Sequence, residues 1–161
     1  MVGPHITEEE VWDVLRTIAD PEIPVLSLVD MNIIRVIDID GDEVHVEITP
    51  TFVGCPALDH ISELIQAKLL EKGFKVVTVR KNFAAPWTTD MLSEATRTKL
   101  KDFGIAPPAP AGMTVSVELP TLCPFCDSRD TKRESSFGST LCKQLHYCNS
   151  CRQSFERFRS L

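Results

Sequence analysis

The chain of 161 residues lacks any long uninterrupted apolar stretch and is poor in aromatic residues, which make up 7% of it. Without about 20 consecutive apolar residues, no membrane-spanning helix is expected. The N-terminal segment also lacks the basic and then apolar pattern of a signal peptide, since it carries Glu8, Glu9 and Glu10. We therefore expect a cytoplasmic protein, whose cysteines serve metal binding or catalysis before disulfides.

Charge and cysteine are unevenly distributed along the chain. The net charge is −6, but residues 1–120 contain 10 Lys and Arg against 19 Asp and Glu, whereas residues 121–161 contain 7 against 4. Only Cys55 precedes residue 121, and the other five cysteines follow it. The acidic first part argues against nucleic-acid binding there, because phosphate backbones require a basic surface.

Hydrophobic periodicity predicts alternating helices and strands in the first part. Thr7 and Glu10 form a capping box before apolar residues at helical spacing. Asp40-Gly41 between two alternating runs indicates a tight hairpin. The predicted elements are a helix over 8–19, strands over 33–39 and 43–49, a helix from about 56 to 72, a strand over 74–80 and a third helix, capped within 88–90 and ending near Gly104.

This order, α-β-β-α-β-α, predicts an α+β fold with a small mixed sheet and helices packed on it. The second and third strands flank a helix, which favours a parallel crossover between them. Three prolines then indicate a linker. We predict a first domain over 1–104, a Pro-rich linker over 105–112 and a C-terminal module over 113–161 that begins with a strand at 113–119.

The C-terminal module contains two C-x-x-C pairs separated by 21 residues. Each pair can place two thiolates on one side of a tight turn, and two such turns complete a closed tetrahedral zinc site without catalytic function. Because a segment this short buries little core, the metal would supply its folding free energy. We therefore predict a zinc ribbon; a redox dithiol, an iron site and unpaired cysteines are the alternatives. The predicted ligands are Cys123, Cys126, Cys148 and Cys151.

Cys142 and His146 are surplus potential ligands in this module. They are either ordinary parts of the ribbon or, for Cys142, an extra metal ligand. The basic residues of the module permit nucleic-acid contact, but they form no basic run and few aromatics accompany them. A charged surface on a protein-docking module is the better interpretation.

Cys55 lies in a different setting, after Gly54 and at a predicted helix start. Helix N-termini favour thiolates, so we expect a lowered pKa for Cys55. Asp20, Glu22 and Asp30 lie in neighbouring loops, and a thiolate with carboxylates could bind iron or a cluster. A buried structural cysteine is the alternative. A cysteine hydrolase has little support, because no histidine is convincingly placed as a base.

Trp87 follows Pro86 and precedes Thr88-Thr89-Asp90. The segment is either a core residue followed by a helix cap or an aromatic loop. Such a loop would pack beside Cys55 or against a partner.

The segments over 20–30 and 49–57, with their Asp-Pro-Glu and Gly-Cys-Pro motifs, resemble the iron–sulfur cluster assembly family that includes SufT. The segments over 86–91 and 137–151 resemble its PaaD-like branch, the D components of phenylacetyl-CoA epoxidase. The resemblance implies an iron–sulfur assembly domain with a zinc-ribbon tail. It also implies that Cys55 is the iron- or cluster-binding or reactive thiol, in a pocket shaped by Asp20, Glu22, Asp30 and Thr51.

By the same resemblance, the protein is a non-catalytic accessory of phenylacetate degradation that assists iron–sulfur or iron assembly in the epoxidase system. Its expected partners are the reductase or oxygenase components and a second copy of itself, because one cysteine cannot fill a cluster's ligand positions. Its expected cofactors are zinc and a transient iron or cluster; membrane and nucleic acid are not expected. The alternatives are a structural subunit of the oxygenase and a nucleic-acid-binding regulator.

The chain departs from the family at one turn, where Met31-Asn32 replace the usual Leu-Gly after Asp30. Asn tolerates a positive φ better than most residues. We therefore expect the turn to be retained.

Overall fold

The computed structural model of the protein describes residues 5–109 and 120–160. The described residues form two compact units, divided between Trp87 and Thr88. The elements in chain order are α1 (Glu8–Arg16), β1 (Ile34–Asp40), β2 (Glu43–Ile48), α2 (Leu58–Lys72), β3 (Val76–Lys81), a 3₁₀ turn (Thr89–Met91), α3 (Glu94–Asp102), β4 (Ile105–Ala106), β5 (Thr131–Ser135), β6 (Lys143–Cys148) and β7 (Ser154–Phe158). Helices and small sheets thus confirm the predicted α+β class.

Helix α1 begins as its sequence predicts. The Thr7 side chain accepts a hydrogen bond from the Glu10 backbone, and the Glu10 carboxylate accepts one from the Thr7 backbone at 2.9 Å. Val11 and Leu15 form the buried face of the helix. The helix ends at Arg16, three residues before the predicted end.

The first unit contains a three-stranded mixed sheet in the order β1-β2-β3. Strands β1 and β2 are antiparallel and join through a tight turn, in which Gly41 adopts a φ of +59°. Strands β2 and β3 are parallel, so the predicted parallel crossover is confirmed. Because Ile48 pairs with Lys81, the loops that follow β2 and β3 leave the same edge of the sheet.

Helix α2 connects these two parallel strands. The predicted stripe of Leu58, Ile61, Ile65 and Leu69 is buried. The helix begins at Leu58, two residues after the predicted start, and no side chain caps its N-terminus. Gly73 ends it with a φ of +126°, a conformation that L side chains rarely adopt. Of the helices described, none combines the length and the apolar character that crossing a membrane requires.

The second unit begins with α3, whose cap differs from the prediction. The cap within residues 88–90 is wrong, because those residues enter a 3₁₀ turn and Ser93 caps the helix through a 3.1 Å bond from the Thr96 backbone. The guanidinium of Arg97 then donates to the carbonyl oxygens of Thr89 at 2.8 Å and Pro108 at 2.9 Å. Arg97 thereby joins the segments on both sides of α3.

The second unit also contains a four-stranded sheet in the order β4-β7-β6-β5. Strand β4 is parallel to β7, and the other pairs are antiparallel. Strand β4 lies within the predicted linker, and α3 belongs to this unit rather than to the first. The predicted strand at 113–119 and the linker residues 110–112 lie outside the described residues. The predicted domain limits at 104 and 113 stay predictions.

Candidate metal centres

Four cysteine sulfurs converge in the second unit. The Sγ atoms of Cys123, Cys126, Cys148 and Cys151 all lie within 4.8 Å of one another. The Cys123–Cys151 and Cys126–Cys148 Sγ distances are 3.7 and 3.6 Å. A tetrahedral zinc ion with zinc–sulfur bonds of about 2.3 Å needs sulfurs about 3.8 Å apart. The four thiols therefore fit a zinc ion, since four cysteines in tetrahedral arrangement are a common structural zinc site.

The two cysteine pairs sit on turns of the same geometry. The N–H of Cys123 donates to the Ser128 carbonyl, and the N–H of Cys148 donates to the Gln153 carbonyl, both at 2.9 Å and both across five residues. The residue after the second cysteine is left-handed in each turn, with a φ of +57° at Asp127 and +59° at Arg152. Two equivalent turns thus point their sulfurs at one position.

The pKa values of two of these thiols differ. The N–H of Cys151 lowers the pKa of Cys148 to about 7, whereas burial raises the pKa of Cys151 to about 12. Sulfurs this close cannot all be thiolates unless a cation offsets their charge. A bound zinc ion would supply that charge and displace the protons.

A small core supports the cluster. Cys123 and Cys148 are fully buried and pack with Ala106 of β4 and Phe155 of β7. The sulfurs are consequently held by the sheet as well as by their turns.

Cys142 is not part of this cluster. Its side chain is buried, and its Sγ lies 3.1 Å from the Thr140 Oγ1. His146 is also buried and stacks on Phe155, with ring centroids 5.5 Å apart. Both contacts favour the interpretation that these residues are ordinary parts of the ribbon.

Cys55 occupies the turn that leads into α2. Its N–H donates to the Phe52 carbonyl at 3.1 Å, and its own carbonyl accepts from the Leu58 N–H at 3.3 Å. The N–H groups of Ala57 and Leu58 also donate to its sulfur. Cys55 is half-buried, so the thiol is held by the helix start while solvent still reaches part of the residue.

The expected lowering of the Cys55 pKa is wrong. Burial raises the pKa of the thiol, and the carboxylates of Glu22 and Asp20 raise it further, which together outweigh the N–H groups of Ala57 and Leu58. The thiol is therefore protonated at neutral pH. Both carboxylates thus contribute to the electrostatic environment of the sulfur, while their assignment to its pocket stays a prediction.

The segment over residues 20–32 places these carboxylates. Asp20 is buried, and its Oδ1 accepts hydrogen bonds from the N–H groups of Glu22 at 2.8 Å and Ile23 at 2.9 Å. These two bonds from the side chain to the following backbone form a local turn that holds Glu22 close to Asp20. Among the described residues, the four ribbon cysteines form the one group of closely spaced potential metal ligands, so metal binding by Cys55 with these carboxylates stays a prediction.

The other two predicted pocket residues are Asp30 and Thr51. Asp30 and Ser27 bond reciprocally, since each side chain accepts from the other's N–H at 3.0 Å. The turn after Asp30 is retained as expected, with Asn32 at a φ of +53°. Thr51 is half-buried in the loop that contains Cys55. A role of Asp30 and Thr51 at the thiol stays a prediction.

Sequence reasoning missed the contribution of Phe52 to this loop. A Cβ atom added at Gly54 would lie 2.9 Å from Cζ of the Phe52 ring, so the ring can cover the turn only because residue 54 is glycine. The Gly-Cys-Pro motif contains this glycine, but its spacing gives no signal for the aromatic partner.

Solved structures share the fold of part of this chain. A domain of unknown function from Bacillus anthracis is 20% identical and matches 58% of this chain and 90% of its own, with a TM-score of 0.54. A conserved hypothetical protein from Thermotoga maritima is 28% identical and matches 60% of this chain and 95% of its own, with a TM-score of 0.52.

Two family models match in succession. The first describes an iron–sulfur cluster assembly protein and covers residues 8–80. The second describes the PaaD zinc beta ribbon domain and covers residues 107–159. The predicted pairing of an assembly domain with a zinc ribbon is thereby confirmed.

Two curated relatives match at higher identity. An "Fe-S protein maturation auxiliary factor" from Porphyromonas gingivalis is 41% identical over 90 residues, which are 55% of this chain and 85% of that protein. The Escherichia coli K12 protein named as the D component of a "Putative 1,2-phenylacetyl-CoA epoxidase" is 39% identical over 154 residues, which are 94% of this chain and 92% of that protein. With a match of that length and the two domains in the same chain, the protein belongs to the PaaD family, as does the Escherichia coli D component.

Proposed function

We propose that the protein is a non-catalytic accessory of phenylacetate degradation that helps to supply iron or an iron–sulfur cluster to a phenylacetyl-CoA epoxidase system. The observation that carries this proposal is the half-buried Cys55 thiol, which lies at the start of α2 under the direct influence of Glu22 and Asp20. The assembly domain around it and the two relatives' names support the proposal.

The Cys55 site suits temporary rather than permanent holding of a metal. Its thiol is protonated at neutral pH, so a metal must displace a proton in order to bind. One thiolate and two carboxylates leave positions that another molecule must fill, whether a second copy of this chain or the recipient protein. Asp30 and Thr51 complete the proposed pocket.

The ribbon has a separate, structural task. We assign its zinc to Cys123, Cys126, Cys148 and Cys151, which leave no open position for chemistry. The rigid module then contacts the recipient, for which the reductase and oxygenase components of the epoxidase are our candidates. We place the protein in the cytoplasm, where a reducing environment keeps Cys55 as a thiol.

Metal analysis of the anaerobically purified protein tests this proposal. We expect about one zinc per chain in the wild type, in Cys55→Ser and in the matched control Cys142→Ser, because neither position belongs to the cluster. After incubation with iron(II), we expect iron to be retained by the wild type and Cys142→Ser but not by Cys55→Ser. Equal iron in all three proteins would refute the role of Cys55.

A recipient assay extends the test to function. Epoxidase components purified from cells that contain only Cys55→Ser should hold less iron and show less activity than those from wild-type cells. Normal cluster content in those cells would contradict the delivery role.

A second candidate is a structural subunit of the oxygenase, which the name of the Escherichia coli relative favours. It predicts stable co-purification with the oxygenase that Cys55→Ser does not change. The delivery role predicts a transient complex instead.

A further inference from the structure

We propose that the loop over residues 136–142 of the ribbon is the docking surface for the recipient protein, and that it fits an apolar pocket bordered by carboxylates. The loop joins β5 to β6 and contains the start of the segment that resembles the PaaD-like branch. This inference rests on the proposed function, which gives the ribbon the contact with the recipient but does not say which residues make it.

Two large apolar side chains of this loop lie in solvent. Phe137 is 52% exposed and Leu141 is 41% exposed. Single exposed apolar residues are common on protein surfaces, so exposure alone assigns no role to them. What distinguishes this pair is that one further side chain, that of Arg159, contacts both residues.

Arg159 follows β7 and holds the loop in place. Its Cζ lies 5.3 Å from the centroid of the Phe137 ring, and its Nη1 donates to the Leu141 carbonyl at 3.1 Å. Its backbone N–H donates to the Cys142 carbonyl at 2.9 Å, which joins the end of the loop to the residue after β7. The Phe137 ring is thus ordered before a partner arrives, and this order lowers the entropy cost of binding.

An ion pair fixes the backbone of the same loop. The N–H of Gly138 donates to the Lys143 carbonyl at 2.7 Å. The N–H of Ser139 donates to Glu156 Oε1 at 2.5 Å, and the same carboxylate pairs with the buried Lys143 ammonium at 2.9 Å. A Cβ atom added at Gly138 would lie 2.5 Å from Glu156 Oε1, so the loop packs this closely only because residue 138 is glycine. These contacts hold the backbone while the apolar side chains stay exposed.

Charge indicates which partner this surface fits. Arg159 forms no ion pair within the described part of the chain, so its guanidinium is able to bind a carboxylate of the partner. Residues 121–161 contain 7 Lys and Arg against 4 Asp and Glu, which also favours an acidic partner. Two copies that met through this loop would bring their Arg159 charges together, so a different protein is favoured over a second copy.

Affinity measurements on the zinc-loaded full chain test this proposal, with the purified reductase and oxygenase components titrated separately. We expect the wild type to bind one component and Phe137→Ala to bind it about tenfold more weakly, as for the loss of an interface anchor. Phe103→Ala is the matched control, because Phe103 is 55% exposed in the same unit but lies outside the loop. Equal affinities of the two variants, or a wild type that binds neither component, would overturn the proposal.

Arg159→Gln tests the chemistry of the partner. Wild-type affinity should fall as salt is raised, whereas Arg159→Gln should bind more weakly at low salt and depend less on the salt concentration. Arg129→Gln is the control, because Arg129 is exposed on the same ribbon and lies outside the loop. The same salt dependence in both variants would contradict carboxylate recognition by Arg159.

Photocrosslinking covers the case in which Phe137→Ala does not fold. Benzoylphenylalanine keeps an aromatic ring at the exposed position 137. In protein with wild-type zinc content, it should crosslink to the recipient at a segment rich in Asp and Glu, and the same amino acid at position 103 should not. No crosslink from position 137, or a crosslink to a segment without carboxylates, would refute the proposal.

The docking role and the delivery role can fail separately. If Phe137→Ala binds normally while Cys55→Ser cells yield iron-poor components, the docking proposal is wrong and the proposed function stands. If Phe137→Ala loses binding while Cys55→Ser changes nothing, the loop docks the partner but the protein does not deliver iron.

Discussion

The ammonium group of Lys101 lies 2.6 Å from the Asp127 carboxylate, and this pair joins the end of α3 to the turn that contains Cys126. A second contact reinforces the connection, because the Phe125 ring packs closely against Gly104. A Cβ atom added at Gly104 would lie only 3.0 Å from this ring. Helix α3 and the first metal-binding turn are therefore parts of one structure.

Loss of zinc should consequently disorder α3 together with the ribbon. We expect Cys148→Ser to lose zinc and to melt the second unit, because metal binding contributes on the order of 10–16 kcal/mol to small zinc modules. Zinc analysis and amide NMR spectra check this. Cys142→Ser is the control and should keep both zinc and α3; an intact α3 in zinc-free Cys148→Ser would contradict the prediction.

Glu22→Gln should change two properties of Cys55 in opposite directions. Removal of the negative charge lowers the raised pKa of the thiol, so alkylation by iodoacetamide at neutral pH should become faster. Removal of a ligand should at the same time weaken iron(II) binding.

In the wild type, iron(II) affinity should rise by up to about tenfold per pH unit below the thiol pKa, since one proton is released. Affinity independent of pH would contradict this prediction.

Gly54→Ala should disturb the Cys55 turn through Phe52. The added methyl group would lie 2.9 Å from the tip of the half-buried ring, so the ring must move, and we expect a small loss of stability of about 0.5 kcal/mol, as for an exposed position. Iron(II) binding should weaken as well. Adding Phe52→Leu removes the overlap and should restore stability in urea titrations; no recovery in the double variant would exclude this mechanism.

Glu156→Gln should destabilise the ribbon at neutral pH, where the Glu156 carboxylate is charged. Burial alone would raise the pKa of Glu156, yet the bonds from the Ser139 N–H at 2.5 Å and from Lys143 at 2.9 Å hold it below its ordinary value of 4.5. Its charge therefore stabilises the fold above about pH 4.5, and this stabilisation is lost as the pH falls through the lowered pKa.

The expected loss for Glu156→Gln is about 2 kcal/mol at pH 7, as for a hydrogen bond to a charged group. Thermal unfolding of the zinc-loaded proteins at pH 7 checks it, because acid would release the metal. Glu134→Gln is the matched control, because Glu134 contacts Lys132 at 2.6 Å on the exposed surface and should matter little. Equal losses in Glu156→Gln and Glu134→Gln would show that the charge of Glu156 is unimportant.

The zinc centre could be predicted from the sequence because its geometry is local. Each C-x-x-C pair lies on a single turn, so only the two turns, with Cys123 and Cys148, had to come together in the fold. Strand β4 could not be predicted in this way, since the two residues Ile105 and Ala106 become a strand only by pairing with Glu156 and its neighbour. Short elements of this kind depend on partners that are distant in the chain.

The Cys55 site shows the same division between local and distant effects. Its place at a helix start was predicted correctly, and so was the influence of N–H groups there. The direction of the Cys55 pKa shift was predicted wrongly, because the burial of the thiol and the nearness of Glu22 and Asp20 arise from tertiary packing. Trp87 was singled out by its motif, but its partner Met31 has no signature in the sequence.

The two compact units differ in their natural chromophores. Both tryptophans, Trp12 and Trp87, belong to the first unit, and the chain's single tyrosine, Tyr147, belongs to the second. Tryptophan fluorescence of the unlabelled protein therefore reports on the first unit alone. Its emission separates unfolding around the Cys55 thiol from melting of the ribbon in a single sample.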